Sequence, residues 1–156
     1  MNDLTLIIPA KYEAESLPAV LDELKKYNYK INIVLHQTDK KTIESIKEHG
    51  VNIVYQKNLG YGDALIQGIN QCETEYFCIF NADGSFDPSE IKKMYISMQN
   101  QKLDFIFASR YEKNSGSEDD TILTLIGNYI FTYIGKKIFK LNVTDILYTF
   151  LIGKTD

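Results

Sequence analysis

The chain has 156 residues, 44% of them hydrophobic and 24% charged, and a formal charge of −4. That balance fits one globular domain with its own core, excludes a disordered tail or a low-complexity linker, and gives no basic excess that would call for nucleic acid. Cys72 and Cys78 are too few for a disulfide framework and form no CxxC pair, so they read as buried thiols of a cytoplasmic protein.

Residues 4–8 are a short apolar run closed by Pro9, the pattern of a strand buried on both faces of a parallel sheet. The run is too short for the apolar region of a signal peptide. Ser16 then stands as a helix cap before Leu17, Val20, Leu21 and Leu24, which recur at helical spacing. A second strand is expected over 31–35, and after it a helix carrying Ile43 and Ile46 that stops at Gly50. A third strand is expected over 51–55. Beyond the loop 56–60 comes a helix with Ala64, Leu65 and Ile69 inward, then a fourth strand over 76–80. The polar turn 81–87 leads to Pro88, which opens a helix where its missing N–H costs nothing, with Ile91, Met94 and Met98 on one face. A fifth strand over 105–108, a polar loop at 115–120 and a helix over 122–141 follow.

Strands alternating with helices at this spacing predict an α/β fold with a mostly parallel sheet and helices on both faces. Right-handed crossovers place the loop after each strand on one edge, where ligands of open α/β sheets sit. Three features fall on that edge. The first is Asn81-Ala82-Asp83-Gly84-Ser85-Phe86-Asp87-Pro88, directly after a buried strand. A carboxylate there can hold Mg²⁺ or Mn²⁺ through hard oxygen ligands while the ion bridges a diphosphate; the same residues also suit a plain capped turn. The second is Asn58-Leu59-Gly60-Tyr61-Gly62-Asp63-Ala64, two glycines leading into a helix whose free amides suit an anion, or else a simple glycine turn. The third is Ser109-Arg110-Tyr111. Of 17 cations 16 are lysine, and the single arginine sits at the predicted active edge, by function or by chance.

Taken in order, these pieces resemble the family 2 glycosyltransferases of the GT-A fold, and within them the dolichyl- or polyprenyl-phosphate mannose or glucose synthases. The resemblance spans residues 4–150. It is carried by Ile8-Pro9 with Glu13-Ala14-Glu15-Ser16-Leu17, by Asn58, Gly60, Gly62, Ala64 and Gly68, by the octapeptide 81–88 and by Ser109-Arg110-Tyr111, with Gly127-Asn128 and Asp145 continuing the register. It implies one nucleotide-sugar-binding catalytic domain over 1–156, a Rossmann-like sheet, and sugar transfer with inversion from a UDP- or GDP-sugar to a polyprenyl phosphate or a glycan hydroxyl. Pro9, Ala10 and Glu13 are then expected to line the nucleoside pocket, with Gly60 and Gly62 in the donor loop. Asp83 and Asn81 correspond to the element that meets Mg²⁺ or Mn²⁺ and the diphosphate. Arg110 corresponds to a residue facing an acceptor phosphate. Asp87 shapes the turn or reaches the sugar. A hydroxyl acceptor needs a carboxylate base, with Asp119, Asp120 and Asp145 as candidates.

Departures from the pattern accompany the likeness. His36-Gln37-Thr38-Asp39 stands where a pair of acids is usual, so the base-recognising carboxylate is missing or displaced to Asp39. Lys11-Tyr12 replaces Tyr-Asn, Asn81 removes one charge from the metal element, and Leu147-Tyr148-Thr149-Phe150 only loosely echoes the expected stretch. These losses keep open a non-catalytic relative that binds a nucleotide sugar or a partner protein. A sugar-phosphate nucleotidyltransferase is the third reading, though Ala10-Lys11-Tyr12-Glu13 lacks its glycines. The helix over 122–141 offers a wide apolar surface with Lys136, Lys137 and Lys140 at its end. Core burial is the expectation for it, with peripheral contact to the inner face of the cell membrane or a second copy of the chain as alternatives. The chain is also expected to be a catalytic core lacking an acceptor half or membrane anchor.

Overall fold

The computed structural model describes residues 2–111, 122–140 and 142–156. The strands are β1 (Leu4–Pro9), β2 (Lys30–Leu35), β3 (Asn52–Tyr55), β4 (Tyr76–Ile79), β5 (Phe105–Phe107) and β6 (Leu151–Lys154). The helices are α1 (Leu17–Leu24), α2 (Lys40–Ile46), α3 (Tyr61–Asn70), α4 (Ser89–Gln101) and α5 (Ile122–Ile138). All five expected strands and five expected helices are present. The loop expected at 115–120, with Asp119 and Asp120, lies outside the described residues.

The strands form one sheet in the order β3-β2-β1-β4-β6-β5. β1 pairs in parallel with β2 and β4, and β2 with β3, which puts β1 at the centre. β6 was not anticipated: it inserts antiparallel between β4 and β5, pairing Cys78 with Ile152 and Ile106 with Ile152 across its two edges. Because both its neighbours run against it, β5 keeps the direction of β4, and the loop after β5 opens on the same edge as the loops after β1, β2 and β4.

Side chains alternate between two apolar layers. Leu4, Leu6 and Ile8 of β1 face Leu17, Leu21 and Leu24 of α1 and Ile91, Met94 and Met98 of α4 in the larger layer. Ile7, Val34, Val54, Phe77 and Ile79 face Ala64, Leu65 and Ile69 of α3 in the smaller one. The continuous burial of β1, β2 and β4 is what a sheet covered on both faces requires. Ser16 does not cap α1. Its backbone is already helical, and its hydroxyl donates instead to Glu13 Oε2 at 2.5 Å. Of the two cysteines Cys78 is buried, whereas Cys72 is half-buried.

The expectation of core burial for α5 is overturned. Its described inward residues include Asn128 and Thr132, which accept the amides of Leu147 and Ile146 at 3.2 Å, while Ile126, Tyr129, Ile130, Tyr133 and Ile134 are exposed. Backbone amides just before β6 needed acceptors, and the helix supplied them from its polar side, turning the apolar side outward.

Close approach of α3 to the sheet depends on Gly68, where an added Cβ would stand 2.4 Å from Ile7 Cγ2 and 3.0 Å from Val34 Cγ2. Gly68→Ala should therefore lose about 1–3 kcal/mol to overpacking, partly offset by better helix propensity. Urea unfolding should show a lower midpoint at unchanged slope.

Candidate active site

The loops after β1, β2, β3 and β4 enclose a cleft of about 430 Å³. Of the residues singled out in the sequence, Pro9, Ala10, Glu13, Asp39, Gly60, Asn81 and Asp83 line it. Gly62, in the first turn of α3, does not, and neither do Arg110 and Asp145. A larger hollow, about 630 Å³, sits at the other end of the strands beside Lys25, Lys30 and His49, away from every motif.

Asp83 owes its position to its neighbours in the turn. Phe86 is only 4% exposed, stacked on Phe150 with centroids 4.6 Å apart and set edge-on to Phe80 at 5.6 Å. Ala82 is buried too, and Gly84 adopts a left-handed φ of 80° that lets the chain reverse. With Ala82 and Phe86 drawn inward, Asp83 is left on the cleft rim. Its Oδ1 accepts the Ser85 amide at 2.9 Å, the only hydrogen bond to this carboxylate among the described residues. Asn81 donates from Nδ2 to Ser85 Oγ at 3.1 Å, which orients its amide within the same turn. Asp87, just ahead of α4, accepts the Ser89 amide at 2.8 Å, and its hydrogen bonds with Ser89 hold its carboxyl below the usual range, so it shapes the turn.

Asp39 is spent differently. It is buried at the start of α2, and its oxygens accept Tyr12 N–H at 2.7 Å and Thr42 N–H at 3.3 Å. Burial alone would push its carboxyl up, but these bonds outweigh burial and hold it below the ordinary value. The bond to Tyr12 matters because Tyr12 has a left-handed φ of 62°, uncommon for a bulky residue, with its ring 78% exposed. Glu13 is fixed by the same pair of elements, its amide donating to Thr42 Oγ1 at 3.0 Å. Asp39 thus clamps the loop after β1 onto α2.

On the opposite wall, Gly60 has φ 119° and ψ 153°, a region essentially closed to other residues. Sequence reasoning gave no role of its own to Asp63, whose carboxylate accepts the amides of Lys57 and Asn58 and the side-chain amide of Asn58 at 3.0–3.2 Å. Those bonds, that from the Asn58 side chain foremost, depress its pKa. The signal available was an acid in the first turn of a helix after a glycine loop.

Arg110 and Asp145 form one unit. Asp145 Oδ2 accepts Arg110 Nε at 2.8 Å and its backbone amide at 3.2 Å, and Oδ1 accepts Nη2 at 3.1 Å. The Asp145 side chain is wholly buried. The guanidinium also lies 5.5 Å from the Tyr111 ring and 5.1 Å from the Tyr148 ring. Tyr148 in turn packs on Phe86 at 5.0 Å, so it joins the arginine pair to the Asp83 turn. Burial pushes the Tyr148 hydroxyl up; the Arg110 charge pulls it down while Asp145 and Asp83 push it up, which places all three within electrostatic reach of one ring. The sequence undervalued Tyr148 and Phe150.

The donor set limits how a divalent ion could be held. Among the described residues no group of three or more His, Cys, Asp or Glu side chains is placed to hold a metal. A carboxylate with one hydrogen bond beside an amide oxygen fits the way Mg²⁺ or Mn²⁺ is bound by one or two protein oxygens, with water and substrate phosphates completing the shell. Asp83 and Asn81 therefore fit such an ion when a diphosphate accompanies it.

This sheet order and cleft define the GT-A type of α/β fold. Residues 5–156 match the family model described as glycosyl transferase family 2, and the chain belongs to that family. An uncharacterized glycosyltransferase of Mycobacterium tuberculosis is 31% identical over 91 residues, covering 58% of this chain and 41% of that protein. An uncharacterized protein of Methanocaldococcus jannaschii is 27% identical over 139 residues, covering 85% of this chain and 57% of its own length. Glucosyl-3-phosphoglycerate synthase from M. tuberculosis, solved with Mn²⁺, UDP and glucosyl-3-phosphoglycerate, superposes with a TM-score of 0.74 at 10% identity, covering 99% of this chain and 57% of that one. The chain spans about half the length of these relatives. Family membership sets aside the nucleotidyltransferase reading.

Three variants test the structural roles of Asp39 and of the Arg110–Asp145 pair. Asp39→Asn should destabilise the fold by about 1–3 kcal/mol by mispairing a buried backbone amide. With a depressed folded pKa, the stability that Asp39 contributes is present above its unfolded value of 3.8 and is lost as pH falls through the folded value. Unfolding curves of the variant should accordingly show a shallower acid limb. Arg110→Ala should cost about 3–5 kcal/mol by stranding the Asp145 charge, and Arg110→Met with Asp145→Leu should recover most of it, as read by urea midpoints.

Proposed function

We propose that residues 1–156 form a single nucleotide-sugar-binding domain of a glycosyltransferase that moves a hexose from a UDP- or GDP-sugar, with inversion, to an anionic acceptor of the polyprenyl phosphate type. The observation that carries the reading is Asp83 held on the cleft rim by the burial of Ala82 and Phe86. Pro9, Ala10 and Glu13 then bound the nucleoside side of the cleft, and Gly60 lets backbone approach the donor. The M. tuberculosis synthase bound to Mn²⁺ and UDP supports a metal-assisted donor site in this fold.

In the proposed step an acceptor oxygen attacks the anomeric carbon from the side opposite the diphosphate. The bond from that carbon to the diphosphate oxygen breaks, and its electron pair leaves with the nucleotide. Asp83 and Asn81 would hold a divalent ion, which would supply electrostatic stabilisation of the departing diphosphate. Asp83 orients that charge; Arg110, its plane fixed by Asp145 and flanked by Tyr111 and Tyr148, orients the acceptor phosphate.

A phosphate acceptor is favoured over a glycan hydroxyl by the state of Asp145, the one candidate base among the described residues. Both its oxygens accept from Arg110 and its side chain has no exposure, so it is a positioning residue rather than a base. An acceptor phosphate is already ionised and needs no proton removed. A second reading, a non-catalytic binder of nucleotide sugars, is favoured by Asn81 and by the clamped Asp39. Calorimetric titration of UDP- and GDP-sugars with Mn²⁺ should show binding that weakens at least tenfold in Asp83→Ala and without metal. Product formed from a polyprenyl phosphate excludes the binder. Equal titrations for wild type and Asp83→Ala remove the donor-site reading altogether.

A further inference from the structure

Tyr61 opens α3 between two glycines, Gly60 and Gly62, and at neither would an added Cβ meet another atom within 4 Å. Its ring is 47% exposed along the cleft, so core packing does not explain its position. A hydrogen bond does: the Tyr61 hydroxyl donates to Thr149 Oγ1 at 3.1 Å, 88 residues further along the chain. Between neutral, exposed groups such a bond adds little to stability, because water competes for both partners. Its consequence lies in what it joins.

The two partners belong to different walls. On one side the glycine loop is already stiff, with Gln56 Nε2 donating to the carbonyls of Asn58 and Gly60 at 3.2 and 2.9 Å, and Asp63 accepting the amides of Lys57 and Asn58. On the other side Thr149 stands between Tyr148 and Phe150. Phe150 stacks on Phe86, and its carbonyl accepts the Ala108 amide at 2.9 Å, just after β5. Tyr148 packs on the same Phe86 and lies 5.1 Å from Arg110. Residues 147–150 belong to no helix or strand, so side-chain contacts do much of the work of placing them.

We propose that Tyr61 is a positioning residue: through Thr149 it braces the segment 148–150 against the glycine-loop wall, and so sets the placement of Arg110 relative to the cleft. The brace is defined by the bond itself, whereas its service to sugar transfer rests on the proposed donor site.

Hydrogen exchange, calorimetry and kinetics test it together. Tyr61→Phe keeps the ring and removes the hydroxyl. The amides of Ala108 and Arg110, bonded to Phe150 and Asp145, should exchange about fivefold faster in it, with an unchanged urea midpoint. Thr149→Val should do the same, and the double variant no more than either, because each single change breaks one shared bond. UDP with Mn²⁺ should bind Tyr61→Phe within about twofold of wild type, while the KM for polyprenyl phosphate rises about fivefold. Failure of the wild type to bind UDP would strike the donor-site reading and not the brace, which the exchange rates decide. Unchanged exchange, additive effects of the two substitutions, or a loss of UDP affinity in place of acceptor affinity would each overturn the inference. So would faster exchange with an unchanged KM, by making the contact merely structural.

Discussion

The site rests on a conflict inside one turn: Phe86 must leave water and Asp83 must stay in it. Fully burying a phenylalanine side chain is worth about 1.5–3 kcal/mol, whereas burying an unpaired carboxylate costs several times that. Both demands are met only if the backbone reverses between them, which Gly84 permits with its left-handed φ. The aromatic cluster of Phe80, Phe86, Phe150 and Tyr148 then holds the reversal against the sheet. Core packing and cleft chemistry are therefore not separate achievements of the fold. The contact that seats Phe86 is the contact that presents Asp83.

Much of this was legible because it is local. Apolar runs of four to six residues ended by proline or polar turns identify β1, β2 and β4, and the carboxyl edge of a parallel sheet follows from connection rules alone. Asp83 directly after a buried strand needed no more than that. What stayed hidden depends on partners distant in sequence. β6 is four residues long, and its strand character comes from lying between β4 and β5, a pairing no window around Leu151 reveals. Ser16 has the residue type of a cap, but Glu13 accepts its hydroxyl and the helix begins without it. The face of α5 was misjudged because apolar periodicity cannot register that Asn128 and Thr132 answer to the amides of Leu147 and Ile146.

The acids illustrate the same limit more sharply. In the sequence Asp39, Asp63, Asp83 and Asp145 are alike. In the fold Asp39 holds the strained Tyr12, Asp63 ties the glycine loop, Asp145 is consumed by Arg110, and only Asp83 keeps most of its acceptor capacity toward the cleft. The loss of two acids after β2 acquires a physical meaning here. A carboxylate remains near that position, but it serves the backbone, and beside it in the cleft wall the side chains of His36 and Thr38 bond each other at 2.7 Å.

Charge in the cleft supplies the last step. Among the described residues Glu13, Asp39 and Asp83 line it against Lys11 alone, an excess of negative charge. Arg110 does not correct this, because Asp145 already neutralises it at hydrogen-bond distance. A nucleoside diphosphate would enter such a space against repulsion, and two like charges a few ångströms apart at a protein surface oppose each other by about 4 kcal/mol. Backbone amides at the start of α3 offset only part of that, since the helix-terminal effect is at most about 2 kcal/mol and Asp63 stands in the same first turn. A divalent cation between Asp83 and the diphosphate reverses the sign of both terms at once. In the proposed donor site a cation would relieve this distribution of charge, meeting the protein at Asp83, whose carboxylate accepts only the Ser85 amide among the described residues.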